Sequence, residues 1–119
     1  MYKVDYFTRR NGECPCKGWL EGLERTDKRE HKKITAILFK LEDEGLKLVN
    51  TEMMSPIKGV QNMYEVRSKH CRTLTYYNEI TQEFIVLHGF RKKHRVEPKE
   101  IDVGCSLLRE YLEDRYGGV

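Results

Sequence analysis

Apolar and polar residues alternate over Met1–Phe7, with Tyr2, Val4 and Tyr6 on one side and Lys3 and Asp5 on the other. A period of two predicts a half-buried strand. Thr8–Glu13, with Arg-Asn-Gly inside it, predicts a loop. The period then lengthens. Cys16, Trp19, Leu20 and Leu23 recur at i, i+3, i+4 and i+7 behind Pro15, a residue suited to the first helical position. Ile34, Ile37, Leu38 and Leu41 repeat that spacing. Asp27-x-x-Glu30 resembles a capping box opening this second helix, and Gly45 sits where a C-terminal cap is needed. Only Glu24–Thr26 lies between the two stripes, so a helical hairpin is expected, with both stripes in the core.

Leu46–Val60 is irregular and holds Pro56 and Gly59. Three strands are expected after it, at Asn62–Ser68, Arg72–Tyr77 and Glu83–Phe90. The last contains Phe-Ile-Val-Leu, apolar enough for a central position. Lys69–Cys71 and Asn78–Gln82 suit hairpin connections, so the simplest topology is an antiparallel meander. Pro98 begins a final helix with Ile101, Cys105, Leu108 and Leu112 as its stripe. Gly104 weakens that helix by roughly 1 kcal/mol relative to Ala. Gly117-Gly118 reads as a frayed tail. The order β-α-α-β-β-β-α is that of an α+β domain over residues 1–119. Its helices are expected on one face of an antiparallel sheet. The other face is left partly open, with polar side chains from the last three strands.

Length agrees with a single core, since 119 residues support one domain. No apolar run approaches the roughly 20 residues of a membrane span. The first residues have no apolar signal-like region, so a cytoplasmic protein is expected. Charge adds more than composition. Residues 1–57 carry 11 Lys/Arg against 10 Asp/Glu, residues 58–99 carry 9 against 4, and residues 100–119 carry 2 against 5. The positive excess lies in one central block, as a phosphate-binding surface requires. A solvated basic face explains the same numbers.

The four cysteines do not suggest a metal site. Cys14 and Cys16 are separated by one residue, while Cys71 and Cys105 stand alone. Zinc sites usually need two pairs at wider spacing, and His88 and His94 are too far apart for one. Reduced thiols are expected. No P-loop, dinucleotide turn, H-E-x-x-H or nucleophile elbow occurs, which disfavours an ATPase, dehydrogenase or serine hydrolase.

Candidate chemistry gathers in the basic block. Glu65 and Arg67 are two apart on one strand and share a face. They are either a surface ion pair or, in a cleft, a candidate base and phosphate clamp. Arg91–Arg95 follows the most apolar strand and is either a solvated turn or a rigidly presented cation cluster. His88 reads as a satisfied core histidine. His94, among cations, is a candidate neutral base. Tyr64, Tyr76, Tyr77, Phe84 and Phe90 interleave with the cations, a pattern compatible with stacking of single-stranded RNA. Core packing is the better reading of Phe84 and Phe90.

Three segments carry a family resemblance. Pro56-Ile-Lys58 with Met63-Tyr-Glu-Val-Arg67 is similar to P-x-K and L-Y-E-L-R elements. Ile85-Val-Leu-His-Gly-Phe-Arg-Lys-Lys93 is similar to I-x-L-L-H-G-F-x-K-K, and Pro98-x-Glu-Ile101 to P-x-x-E-I. These elements belong to HigB-like, phage-derived toxins of type II toxin–antitoxin systems, in the RelE/ParE superfamily. The chain departs from them at His94-Arg-Val-Glu97, where the family has Thr-Gln-Lys-Thr. The resemblance implies a RelE/ParE-like fold and a ribosome-dependent endoribonuclease that cuts translated mRNA through 2′-hydroxyl attack, without metal or cofactor. It implies that Arg67 clamps the scissile phosphate, that Lys92 stabilises its charge, and that Glu65 is the base or its orienting group. Lys58, Arg72, Arg91 and Lys93 would hold phosphates. Its expected partners are the ribosome, mRNA and a helix-turn-helix, HigA-like antitoxin. A ParE-like gyrase inhibitor and a non-catalytic phage host-takeover protein are the rival readings of the same fold.

Overall fold

A computed structural model describes residues 1–95 and 97–117. Strand β1 (Lys3–Tyr6) leads into helices α1 (Pro15–Thr26) and α2 (Lys28–Glu44). A short 3-10 turn, Gly45–Leu48, precedes strand β2 (Met54–Pro56). Strands β3 (Met63–Arg67), β4 (Cys71–Asn78) and β5 (Glu83–Arg91) follow, and helix α3 (Pro98–Tyr116) closes the chain. The architecture is α+β, as expected. Of the expected Gly117-Gly118 tail, Gly117 caps α3 at φ 77, and Gly118 lies outside the described residues.

The helix boundaries follow the chemistry of single residues. The Asp27 side chain accepts a hydrogen bond from the Glu30 backbone N–H at 3.2 Å, as the capping motif expects. The return half of the box does not form. The Asp27 backbone N–H is already donated to Leu23 O at 2.7 Å, closing α1. Glu30 therefore turns its buried carboxylate toward Lys33, at 3.6 Å. One residue thus ends one helix and starts the next, which makes the hairpin tight. Gly45 ends α2 with φ 48, a backbone state that favours glycine.

The sheet corrects two expectations. Its order is β1-β5-β4-β3-β2, and β1 runs parallel to β5, so the sheet is mixed rather than antiparallel. An extra strand, β2, lies in the stretch read as irregular and pairs antiparallel with β3. The meander β3-β4-β5 forms as expected.

The expectation of one open face is also corrected, because helices cover both. Helices α1 and α2 pack on Val66, Cys71, Tyr77, Phe84 and Val86. Leu107, Leu108 and Tyr111 of α3 pack on Met63, Leu74, Ile85 and Leu87 on the opposite face. A strand buried on both sides reads as a continuous apolar run, which is why Phe84–Leu87 does not alternate.

Two close approaches fix the layers. A Cβ at Gly104 would lie 2.6 Å from Leu74 Cδ1, so the glycine that weakens α3 lets it sit down on β4. A Cβ at Gly89 would lie 2.2 Å from Trp19 Cε3, placing the indole directly against the β5 backbone. Gly89→Ala should therefore destabilise the fold by about 1–3 kcal/mol through overpacking. Chemical denaturation measures this, and a variant within 0.5 kcal/mol of wild type would show that Trp19 moves freely.

The thiols divide the same way. Cys16 and Cys71 are fully buried, whereas Cys14 and Cys105 are half-buried. Desolvation pushes the Cys16 thiol up to about 12 and raises Cys71 as well. Titration with an aromatic disulfide reagent at mild alkaline pH should find Cys14 and Cys105 reactive in the native state. Cys16 and Cys71 should react only with unfolding. Rapid native labelling of Cys16 would contradict the packing of α1.

Candidate functional site

The face of the sheet beneath α3 carries three rows of side chains across β3, β4 and β5. Register places Met63, Tyr76 and Ile85 in one row, Glu65, Leu74 and His88 in the next, and Arg67, Arg72 and Phe90 in the last. The first row is packing. The other two bring together Glu65, Arg67, Arg72 and His88 from the polar residues that the sequence singled out.

A bulge in β5 is what completes them. Leu74 pairs with His88, but Thr75 pairs with Val86, leaving Leu87 as the extra residue. Leu87 and His88 therefore share one face, and every later residue of β5 is turned over. His88 Nε2 lies 3.0 Å from Glu100 Oε1 in the first turn of α3. Its ring stacks on Phe90, with centroids 5.4 Å apart and planes at 27°. His88 is thus half-buried and satisfied, in line with the core-histidine reading.

Glu65 sits between two guanidinium groups. Its Oε1 is 2.9 Å from Arg72 Nε and 3.6 Å from Arg67 Nη1. Arg72 is buried at 6% exposure, and its Nη1 donates to Ser68 O at 2.5 Å and to Cys71 O at 2.9 Å. The Nε contact is ionic, for its N–H has no aligned acceptor. Burial pulls the guanidinium below its ordinary value, with the Glu65 charge opposing. Arg72 therefore fastens Glu65 to the β3–β4 turn.

Arg67 is more exposed but equally engaged. Its Nε donates to Glu52 O at 2.9 Å, its Nη2 to Thr51 O at 3.3 Å, and its Nη1 to the Ser55 hydroxyl. Five N–H groups are available to an arginine, so part of the fork remains unspent. Arg67 and Arg72 thus hold the site's carboxylate and its edge strand together. No spacing or motif marks Thr51, Glu52 and Ser55 as the acceptors.

The remaining candidates divide by position. Lys92 and Lys93 follow β5 at the same end of the sheet as Arg67 and Arg72. The Lys92 backbone N–H donates to His70 O at 2.8 Å, which ties this segment to the β3–β4 turn. Among the described residues, neither lysine side chain forms an ion pair. Arg91 faces the other way, because the bulge turns it toward α2. It donates to Asp27 Oδ2 at 2.9 Å, and that hydrogen bond holds the Asp27 carboxyl below its usual range. Lys58 lies in the turn between β2 and β3, at the opposite end of that hairpin from Arg67. Arg91 and Lys58 are therefore not part of the cluster. His94 is exposed beside Arg95 and Pro98.

The interleaved aromatics are mostly packing. Tyr77 and Phe84 stand 4.9 Å apart, Tyr2 packs against both, and Tyr76 faces Tyr111. Phe90 is buried at 6% exposure, as its core reading expects. The Cys14-x-Cys16 pair parts between half-buried and buried positions. Among the described residues, no group of three or more His, Cys, Asp or Glu side chains is placed to hold a metal ion, and no helix is long and apolar enough to cross a membrane.

A phage-derived protein family, Gp49-like (DUF891), matches residues 19–105, more than half of the chain and all three rows of side chains. The chain belongs to this family. A search of curated proteins gives no match. Gp49-like proteins are toxin-like, of RelE/HigB type, and the mixed sheet with its three helices is compatible with a RelE-like fold. The matched segment runs from Trp19 through β5 and into α3, so the family model includes Glu65, Arg67, Arg72, His88, Lys92, Lys93 and Glu100.

The sequence did not single out Glu100. Its signal was nonetheless present, because His88 and Glu100 lie in two of the segments that carried the resemblance, His88-Gly-Phe90 and Pro98-x-Glu-Ile101.

Proposed function

We propose that this Gp49-like chain is the toxin of a type II toxin–antitoxin system, a HigB-like endoribonuclease acting on mRNA bound to the ribosome. The observation that carries the reading is that Arg67 and Arg72 flank Glu65 at the end of the sheet where Lys92 and Lys93 leave β5. A phosphate approaching that end meets two lysines that have no ion pair among the described residues, and the unspent part of the Arg67 fork.

The chemistry needs no metal in this reading. The RNA 2′-oxygen attacks the adjacent phosphorus, the bond to the 5′-oxygen breaks, and a 2′,3′-cyclic phosphate and a 5′-hydroxyl result. One proton leaves the 2′-hydroxyl and one reaches the departing oxygen. Arg67 would hold the phosphate and Lys92 would meet its growing charge. Lys93 would bind a flanking phosphate. Arg72 would act as a positioning residue for Glu65, the candidate base or base-orienting group. The ribosome would supply the remaining geometry, and a helix-turn-helix antitoxin would neutralise the protein in the cytoplasm.

The engaged donors of Arg67 and the burial of Arg72 favour a second reading, a protein that inhibits by binding without cleaving. Controlled expression separates the two. Rapid loss of mRNA with new 5′-hydroxyl ends supports the nuclease. Toxicity with intact mRNA overturns it, and accompanying DNA damage would identify a gyrase poison instead.

A further inference from the structure

A hollow of about 620 Å³ lies away from α3, between α2 and the β3–β4 turn. Its floor is aliphatic: Ala36 and Ile37 of α2 face Met53. Its rim is cationic. Lys33 and Lys40 stand seven residues apart on the same stripe of α2, and Lys69 rises from the turn opposite. Lys33 touches the buried Glu30 carboxylate at 3.6 Å yet keeps 41% of its side chain exposed. Lys40 reaches over the floor, with its Nζ 4.0 Å from the Met53 sulfur. Arg67 and Arg72 line the inner wall, and Glu52 is the one carboxylate there among the described residues.

From this we infer that the groove is a docking site for an acidic amphipathic helix, supplied by a partner protein. The charge balance calls for an anion along the rim, and the floor calls for an apolar anchor beneath it. Single-stranded RNA supplies the charge but fits the floor poorly. Among the described residues no aromatic side chain lines the groove, so bases have nothing to stack on. An amphipathic helix supplies both, by the helix-in-groove mode. Carboxylates one heptad apart would face Lys33 and Lys40, while the side chain between them would reach Ile37 and Met53. Methionine adapts its shape to such an anchor.

Arg67 belongs to both the groove and the polar rows on the other face. A helix seated here therefore touches the residue that holds β2 and Glu65 in place. That regulatory consequence rests on the nuclease reading, whereas the docking itself stands on the groove alone.

The test uses the full chain and a fluorescein-labelled synthetic helix of about 14 residues, two heptads long, with glutamates one heptad apart flanking leucine anchors. Saturable binding is expected by anisotropy, with shifts in the methyl signals of Met53 and Ile37. Lys33→Glu with Lys40→Glu should weaken it roughly tenfold or more, because each reversal exchanges an attraction for a repulsion. A peptide with glutamine in place of glutamate should lose affinity to a similar degree. Lys17→Glu on α1 should leave binding unchanged.

The docking proposal is overturned by absence of saturable binding, by equal affinity for the double reversal, or by a single-stranded RNA that displaces the peptide and shifts the same methyls. Circular dichroism confirms that each variant is folded. If the peptide binds as expected and the chain cleaves no mRNA, the nuclease reading fails and the docking site stands.

Discussion

Arg72→Ala is expected to cost about 3–5 kcal/mol of folding stability, the scale for removing one member of a buried ion pair. The loss has two sources. Glu65 is left half-buried beside a void, with only the more distant Arg67 for a partner. Ser68 O and Cys71 O lose the donor that closes the β3–β4 turn. Urea denaturation followed by circular dichroism measures the cost, which corresponds to a fall in Tm of roughly 10 °C or more for a domain of this size. The pair can also be removed together. Glu65→Leu with Arg72→Leu should recover much of the loss, because no uncompensated charge then remains buried. A single variant that costs under 1 kcal/mol would mean that the turn holds itself and Arg72 is free for another task.

Lys92→Ala should do the opposite, leaving the fold intact and removing activity. Its side chain has no ion pair among the described residues, so the stability change should stay within about 0.5 kcal/mol. Under the nuclease reading, single-turnover cleavage of ribosome-bound mRNA at saturating protein should fall roughly 100-fold or more, by analogy with loss of one donor to a developing charge. Lys93→Ala should mainly weaken binding and reduce the salt dependence by about 0.7 in the slope of log affinity against log salt. Arg67→Ala is the less informative variant, because its hydrogen bonds to the 51–55 segment confound chemistry with folding. Wild-type cleavage by a folded Lys92→Ala protein would remove this lysine from the mechanism.

The helices, the three central strands and their boundaries were legible because each is a local property. Periodicity placed Leu20, Leu23, Ile34, Leu38 and Leu41, and Asp27 and Gly45 marked ends that depend on one residue each. What the sequence concealed were pairings. Strand β2 is only three residues long and contains Pro56, so no alternation announces it. It exists because β3 offers an edge and Arg67 gathers the carbonyls of Thr51 and Glu52. The parallel match of β1 to β5 depends on partners far apart in the chain. Covering of the second face was signalled by Phe84–Leu87, whose unbroken apolar run fits burial on both sides. The fate of the charged residues was least legible. Glu65, Arg67, Lys92 and Lys93 come to one end of the sheet. Arg72 goes into the protein, and Arg91 is turned away by a bulge that no residue type betrays.

The parallel pairing of β1 has a consequence in time as well as in space. The strand at the start of the chain finds its neighbour only after two helices and three other strands have been made. Until β5 exists, the stripes of α1 and α2 have no Phe84 or Val86 to cover them, and Trp19 has no Gly89 to lie against. Closing so long a loop is entropically expensive and slow compared with forming either helix. On a translating ribosome, a nascent chain that has not yet extended past β5 is an open sheet with its cation cluster unassembled. The cation-bearing end of the sheet is therefore assembled only after β5 has been made, however early the helices form.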